Sequence, residues 1–477
     1  MKQFKYISIL LLLLIFTGSC KKFVEGYEDD PNAFKETNDK QVMQGVLLQN
    51  QFFLRDDGLR LAMLWMNQAT GSDRQFVAFN NWNSVGNNQF NNPWAEVYSV
   101  LSEAKVLEKE CDKVGNIKLR GIAKLYRAWA GGEAASLWGD VPFSQAADKE
   151  NYPNPAYDNR ADVFAAVQIL LDEAITDLGN AVGTIYSKKD LYFSGDESKW
   201  IKIANGLKAR FYLHNKDYAH AKQYALLGPA STSDDLMGKF NGYPDNSGTW
   251  HPEFSFYWNR EDYMSAENAF ARDLLASRPN CNEAGRKLYN YIPAGWWTKR
   301  PDLNVLPPIW AGGTGHHGKF AGDNKLVSYG EMLLIQTEAE VRNNNVAAAI
   351  PVYNTYRALL ETGYDDNNGN WGAHSYPAYA LADFQNGGIE NADNKTEKQA
   401  FLRELFEERY IYFIGDYEAF IDHARVHGDP DVPSYMTLKS GFSGEPLRFI
   451  YPQTEIDANS SISSTIPAVT DHLPGYN

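Results

Sequence analysis

Tryptophan and asparagine, set side by side where the chain shows no apolar periodicity, are the residues of this 477-residue protein best suited to chemistry, and that chemistry is adhesion. Trp82 stands among Asn80, Asn81 and Asn83. Trp296 and Trp297 are adjacent after Pro293-Ala294-Gly295, so both rings can hardly face one interior, and Trp310 borders the glycine-rich run from Gly312 to Gly318. An aromatic face packs on apolar C–H surfaces, while a neighbouring amide both donates and accepts hydrogen bonds. Such a platform suits a ligand with apolar faces and a hydroxyl rim. The remaining candidates fall away: Trp129, Trp138 and Trp200 lie on apolar helix faces, and Trp65 lies in a helix around Ala62–Trp65. Trp82, Trp296, Trp297 and Trp310, with Asn80, Asn81 and Asn83, are therefore the expected ligand contacts. The competing expectation is that some of these rings only cap the core beneath long loops.

Catalytic spacing is poor by contrast. The sequence holds neither HExxH nor a GxSxG elbow. Gly313-Thr314-Gly315-His316-His317-Gly318 satisfies GxGxxG, but it follows Pro307-Pro308 and opens no helical stripe, so it reads as a loop rather than a dinucleotide site. His316 and His317, adjacent in a glycine loop, are expected to be solvated rather than to bind metal. Tyr364 to Asn370 is rich in oxygen ligands but lacks EF-hand spacing and its closing Glu, which favours a turn. Sixty acidic residues supply carboxylates without singling out a pair set across a scissile bond. No catalysis, cofactor or metal is expected.

An address precedes the body. Lys2 and Lys5 lead an apolar run from Ile7 to Phe16, followed by Thr17-Gly18-Ser19-Cys20. This is a secretory signal, too short to span a bilayer stably. The cysteine after Gly-Ser fits a bacterial lipobox, so residues 1–19 are expected to be removed and Cys20 to carry the lipid that anchors the chain. Losing Lys2 and Lys5 takes the formal charge from −15 to −17. A surface that acidic repels phosphate backbones, which argues against nucleic acid as a partner. Cys111 and Cys281 could pair in an oxidising envelope or stay as two unpaired thiols.

The elements that must position these residues are helical. Apolar spacing predicts helices over Asp112–Leu137, after an Asp158 cap through Leu178, and from a Ser194-Gly195-Asp196-Glu197 capping box through Trp200 to Phe211. Asp217 to Leu226 has the small-residue and tyrosine spacing of a second tetratricopeptide helix. Tyr329–Asn343 and the helix opening at Val346 repeat the arrangement, with Pro351 in or just past the first turn of the latter. The fold class is thus mainly α: a tetratricopeptide-like superhelix with few short strands. One domain is expected over 20–477, with helical halves at about 38–227 and 329–425. Between them, about 228–328, Pro, Gly, Asn and Trp cluster and helical stripes fail. Ser72 to Trp94 shares that character, with seven asparagines around Phe76, Phe79, Trp82, Phe90 and Trp94. Loops this long and aromatic point to function. Arg210, Glu418, Asp422 and Arg425 either form buried ion pairs between the halves or remain solvated.

At the level of motifs the chain resembles the SusD/RagB nutrient-binding lipoproteins of Bacteroidetes-type bacteria. Asp30-Pro31-Asn32 is similar to the family's early D-P-N, and Arg127-Ala128-Trp129 with Leu137-Trp138-Gly139-Asp140-Val141-Pro142 to its helix-plus-GDVP block. Trp200 followed by Ala204-Asn205-Gly206-Leu207-Lys208-Ala209-Arg210 resembles the W…ANxLKxR helix, and Glu338-Ala339-Glu340 the AEA string. Glu404 to Arg409 with Gly415 to Asp422, and Pro446-Leu447-Arg448-Phe449-Ile450-Tyr451-Pro452 with Glu455 and Asn459, resemble the last two blocks. One departure stands out: where many members have D-x-R-R-T-G-x-P, this chain reads Asp422-His423-Ala424-Arg425-Val426-His427-Gly428-Asp429-Pro430. The resemblance implies a non-catalytic, surface-exposed outer-membrane lipoprotein that binds oligosaccharides and delivers them to a SusC-like TonB-dependent transporter. The alternative it admits is a peptide-binding receptor of the RagB kind on the same scaffold.

Overall fold

The computed structural model describes residues 38–240, 251–260, 263–291, 324–365 and 373–476. Cys20 lies outside them, as do Trp296, Trp297, Trp310, His316 and His317. The described chain is mainly α-helical, as its periodicity requires. It opens with α1 (Asp39–Phe53) and α2 (Asp57–Trp65), then β1 (Thr70–Gly71) and α3 (Arg74–Phe79). Two single 3₁₀ turns, Trp82–Ser84 and Asn87–Phe90, lead into α4 (Asn91–Val114). Next come α5 (Ile117–Trp138), α6 (Arg160–Leu178), α7 (Glu197–His214) and α8 (Tyr218–Ala225). The aromatic interval follows with β2 (Leu236–Gly238), α9 (Pro252–Asn259), β3 (Met264–Ser265), α10 (Phe270–Ser277), α11 (Ala284–Asn290) and β4 (Asn324–Val327). The second half carries α12 (Tyr329–Arg342), α13 (Val346–Leu360), α14 (Glu397–Tyr412), α15 (Glu418–Val426) and α16 (Gln453–Ala458).

Helices pack in consecutive hairpins. α4 lies on α5, α5 on α6, α7 on α8 and α12 on α13, and α8 meets α12 so that the two halves stack. Close approach is set by small residues: a Cβ on Gly132 would sit 2.3 Å from the ring of Phe211 in α7. Trp65, Trp129, Trp138 and Trp200 are fully buried, as their helical spacing implied. Trp65 packs on Phe420 and Phe449, and Trp138 on Phe449 at 5.4 Å. The Gly139–Pro142 block and the Pro446–Pro452 block, far apart in sequence, clasp each other. Phe449 N donates to Leu137 O at 2.8 Å, the Trp138 indole donates to Ile450 O at 3.1 Å, and the Tyr451 hydroxyl donates to Asp140 O at 2.6 Å.

Local corrections concern boundaries. The stripe over Asp112–Leu137 is two helices, because Gly115 in the left-handed region (φ 69°) ends α4 and Asn116 caps α5. Asp158 does not cap α6; its carboxylate accepts from Phe143 N, Ser144 N and the Ser144 hydroxyl, and Asn159 takes the cap position. The α7 cap is Asp196, accepting from Ser198 N and Lys199 N, rather than Ser194. Pro351 sits inside α13 just past its first turn, where its place in the sequence put it. The interval 228–328 is less loop-like than its composition suggests, since three short helices and strands β2 to β4 form within it. Cys111 and Cys281 are both unpaired thiols.

The charged residues of the family-like blocks pair in the interior, Arg210 and His214 across the seam between the halves and Arg425 and Arg409 within the second half. Arg210 (α7) binds Glu331 (α12) through two bonds of 2.7 and 2.8 Å, with Glu133 at 3.4 Å and Glu418 at 3.5 Å. Arg425 (α15) grips Glu338 (α12) at 2.6 and 2.8 Å and Asp422 at 2.7 Å, and Arg409 holds Asp422 at 2.6 Å. His214 meets Glu418 at 2.9 Å. Of the two alternatives for Arg210, Glu418, Asp422 and Arg425, burial is the one realised. Burial and the neighbouring Glu418 push Glu133 up to about 8; burial, followed by Asp422 and Asp416, raises Glu418 to about 7. Burial would lift Glu338 too, but Arg425 outweighs it and holds that carboxyl at about 2.

These shifts predict a pH optimum of stability. Glu133 and Glu418 keep protons in the fold that an unfolded chain releases above about 4.5, so stability falls as pH climbs from there through about 8. Glu338 acts oppositely: its contribution is complete above about 4.5 and disappears as pH drops toward 2. Melting temperatures measured across the pH range should peak in the mildly acidic region. Glu133→Gln should flatten the alkaline limb, and an unchanged limb would remove Glu133 from this account.

Candidate functional site

The two stretches singled out by composition meet in space. β1 and β3 pair antiparallel, Thr70 opposite Ser265 and Gly71 opposite Met264, which draws Ser72–Trp94 against the segment carrying α9. Gly71 is obligatory here: a Cβ would lie 1.7 Å from Phe76 O. Asn80 staples the end of α3 back to β1, its amide donating to Gly71 O and accepting from Gly71 N, each at 2.8 Å.

Between α3, the second 3₁₀ turn, α2 and α9 runs an open groove of about 1070 Å³, at the upper end of ligand-binding cavities. Its wall is aromatic. Phe76 packs on Phe79 at 5.4 Å and on Phe256 at 5.2 Å, and Phe52 joins from the end of α1. Phe79 and Phe256 are only half-buried, so part of each ring faces the groove. The rim is polar: Asn88, Gln89, Asn92, Asn259 and Arg260 line it, most of them exposed. The floor is an ion cluster. Arg60 of α2 binds Asp57 at 2.6 Å and Glu253 of α9 at 3.2 Å, and its guanidinium stacks on Phe256 at 4.3 Å. Thus one arginine ties α9 to α2 and fixes the ring that faces the groove. Beside this cluster, burial and then Asp57 raise the Glu96 carboxyl to about 7.

Trp82 is not part of this groove. The reading that nothing would bury it is corrected: only 2% exposed, it stacks edge-on against Phe442 at 5.2 Å and donates its indole N–H to Ser443 O at 3.1 Å. The covering segment is some 360 residues away in sequence, beyond the reach of local periodicity. The asparagines around it make hydrogen bonds within the chain. Asn81 accepts from Asn83 N, Asn83 donates to Ser443 O, and Asn80 makes the staple described above. The groove draws on both stretches that composition singles out, with Phe76 and Phe79 in one of them, whereas Phe256, Asn259, Arg260 and Arg60 are not singled out individually in the sequence reading. A signal was present in the sequence, where Pro252 marks a helix start and aromatic residues follow at 254, 256, 257 and 258.

A smaller cavity of about 280 Å³ lies between the helical halves. Its charged groups already serve one another, Arg210 with Glu331 and Asp365 with both Lys325 and Arg286, so the groove offers the better ligand site. Among the described residues no group of three His, Cys, Asp or Glu side chains is arranged to hold a metal ion, and no helix is long and apolar enough to cross a membrane.

A family model described as starch-binding and associating with the outer membrane matches residues 31–278, just over half of the chain and including every residue that lines the groove. Among solved structures, a SusD/RagB family protein from Bacteroides thetaiotaomicron superposes with a TM-score of 0.64 at 21% identity, covering 89% of this chain and 95% of that one. A SusD homologue from Bacteroides fragilis gives 0.60 at 17% identity, with 92% and 99% covered. A chitin-binding protein gives 0.61 at 19% identity, with 87% and 94% covered. These likenesses establish a shared fold. No curated protein matches the chain.

Proposed function

Since the chain belongs to the SusD-like family of starch-binding, outer-membrane-associated proteins, we propose that it is a non-catalytic surface lipoprotein that captures oligosaccharides in the groove between α3 and α9. The carrying observation is the wall of Phe76, Phe79 and Phe256 facing a rim of Asn88, Asn92 and Asn259. Pyranose rings present apolar C–H faces to such a wall and hydroxyls to such a rim. Binding is then stacking plus hydrogen bonding, with the Arg60 cluster holding the geometry before the ligand arrives. Trp296, Trp297 and Trp310 are proposed to extend the platform from the long segment that follows α11. The captured ligand is handed to a SusC-like TonB-dependent transporter, for which this protein acts as the lid.

Calorimetric titration with starch-derived and chitin-derived oligosaccharides and with a peptide mixture tests the reading. Saturable binding of an oligosaccharide supports it, whereas binding of peptides alone assigns the groove to a peptide receptor and binding of neither removes the groove from the account. Release of shortened products would overturn the non-catalytic assignment.

The anchor is proposed to be the acylated Cys20. Cys20→Ala should leave the precursor unprocessed or shift the protein out of the membrane fraction, because a single acyl chain holds only marginally and stable anchoring needs more than one. An intact mass of the mature protein without added lipid would sink that assignment. Purification in mild detergent should bring down a large β-barrel partner, since stable complexes of this kind bury upwards of about 2,000 Å².

A further inference from the structure

The departure from the family pattern after Asp422 has a spatial counterpart. His423 and His427 stand one helical turn apart at the C-terminal end of α15, the i, i+4 spacing at which two imidazoles on one face can chelate a metal ion. Both Nε2 atoms approach a single carboxylate oxygen, Glu445 Oε2, at 3.3 Å from His423 and 3.6 Å from His427. Neither contact is a hydrogen bond. His423, 5% exposed, has no hydrogen-bond partner on its Nε2, and 3.6 Å is too long for one. Both distances instead match the edge of a coordination tetrahedron, about 3.4 Å when each donor lies about 2.1 Å from the ion. His472 from the C-terminal segment stacks beside His427, ring centroids 5.0 Å apart. The Nδ1 atoms of His427 and His472 and the buried hydroxyl of Tyr435 also lack partners. His423, His427, Glu445 and Tyr435 border one cavity of about 490 Å³.

We propose that His423, His427 and Glu445 form a capture site for a divalent transition-metal ion of the zinc class, separate from the ligand groove. Imidazole with one carboxylate is a donor set suited to zinc rather than to calcium. The side chains do not yet surround a common point. Those of Glu445 and His427 are 46% and 30% exposed, however, so they can turn inward while the buried His423 stays fixed. A bound ion would tie the end of α15 to the loop before the C-terminal block.

The test is calorimetric titration of the untagged, chelator-treated mature protein with zinc chloride, alongside His427→Ala and Glu445→Gln, both at partly exposed positions. Thermal melts without zinc verify that the variants fold. One zinc ion per chain is expected, weakened about tenfold or more by each substitution, together with a rise in melting temperature on zinc addition that His427→Ala abolishes. Absence of saturable binding overturns the proposal. So does binding unchanged in both variants, which would place zinc elsewhere, for instance on His316 and His317.

Discussion

Arg425→Ala is expected to cost about 3–5 kcal/mol of folding stability, the largest effect of any single substitution considered for this protein. Its guanidinium is fully buried and serves two carboxylates of the second half, Glu338 of α12 and Asp422 of α15. Truncation leaves two carboxylates in the interior with fewer donors. Arg409 still reaches Asp422, and Arg342 lies 3.4 Å from Glu338, so the loss is that of a shared partner rather than of every partner. Urea denaturation of the variant measures it directly. The double substitution Arg425→Met with Glu338→Leu removes both charges and should recover part of the loss, because a buried pair replaced by apolar groups of similar size is often near neutral. A double variant as unstable as the single one would show that the packing of α12 on α15, rather than uncompensated charge, sets the loss.

Phe256→Ala is expected to weaken oligosaccharide binding by about 2 kcal/mol, roughly thirty-fold in Kd, and Phe79→Ala by a similar amount. Both rings are half-buried on the groove wall. Phe256 is also the ring on which Arg60 stacks, at 4.3 Å, so Phe256→Leu separates the roles: it keeps bulk against Arg60 while removing the flat face. The measurement uses whichever starch- or chitin-derived oligosaccharide binds best in the panel, with melting temperature as the control for folding. Trp82→Ala should instead lower stability, since that ring fills the space beneath Phe442. Full affinity in both phenylalanine variants would discard the groove as the binding platform.

The contrast between Phe256 and Trp82 shows how far the chain could be read without its fold. Helical periodicity marked Trp129, Trp138 and Trp200 as core because their burial depends on neighbours three and four residues away. Compositional contrast marked 72–94 and 228–328, because long aromatic loops are rare without a purpose. What covers Trp82 is Phe442 and Ser443, and no property of residues 76–88 encodes that contact. Phe256 gained its place in the groove through the β1–β3 pairing and through Arg60, contacts spanning about 190 residues.

The sequence alone therefore determined the helical class. It also determined the order of blocks that marks the family, since each depends on local spacing or on a short string. The tertiary structure decided which aromatics are exposed, which charges are paired across the seam, and that His423, His427 and Glu445 share a cavity. Those outcomes depend on which distant surfaces exclude water from a given side chain. Solvent exclusion is a property of the assembled chain, not of any stretch of it.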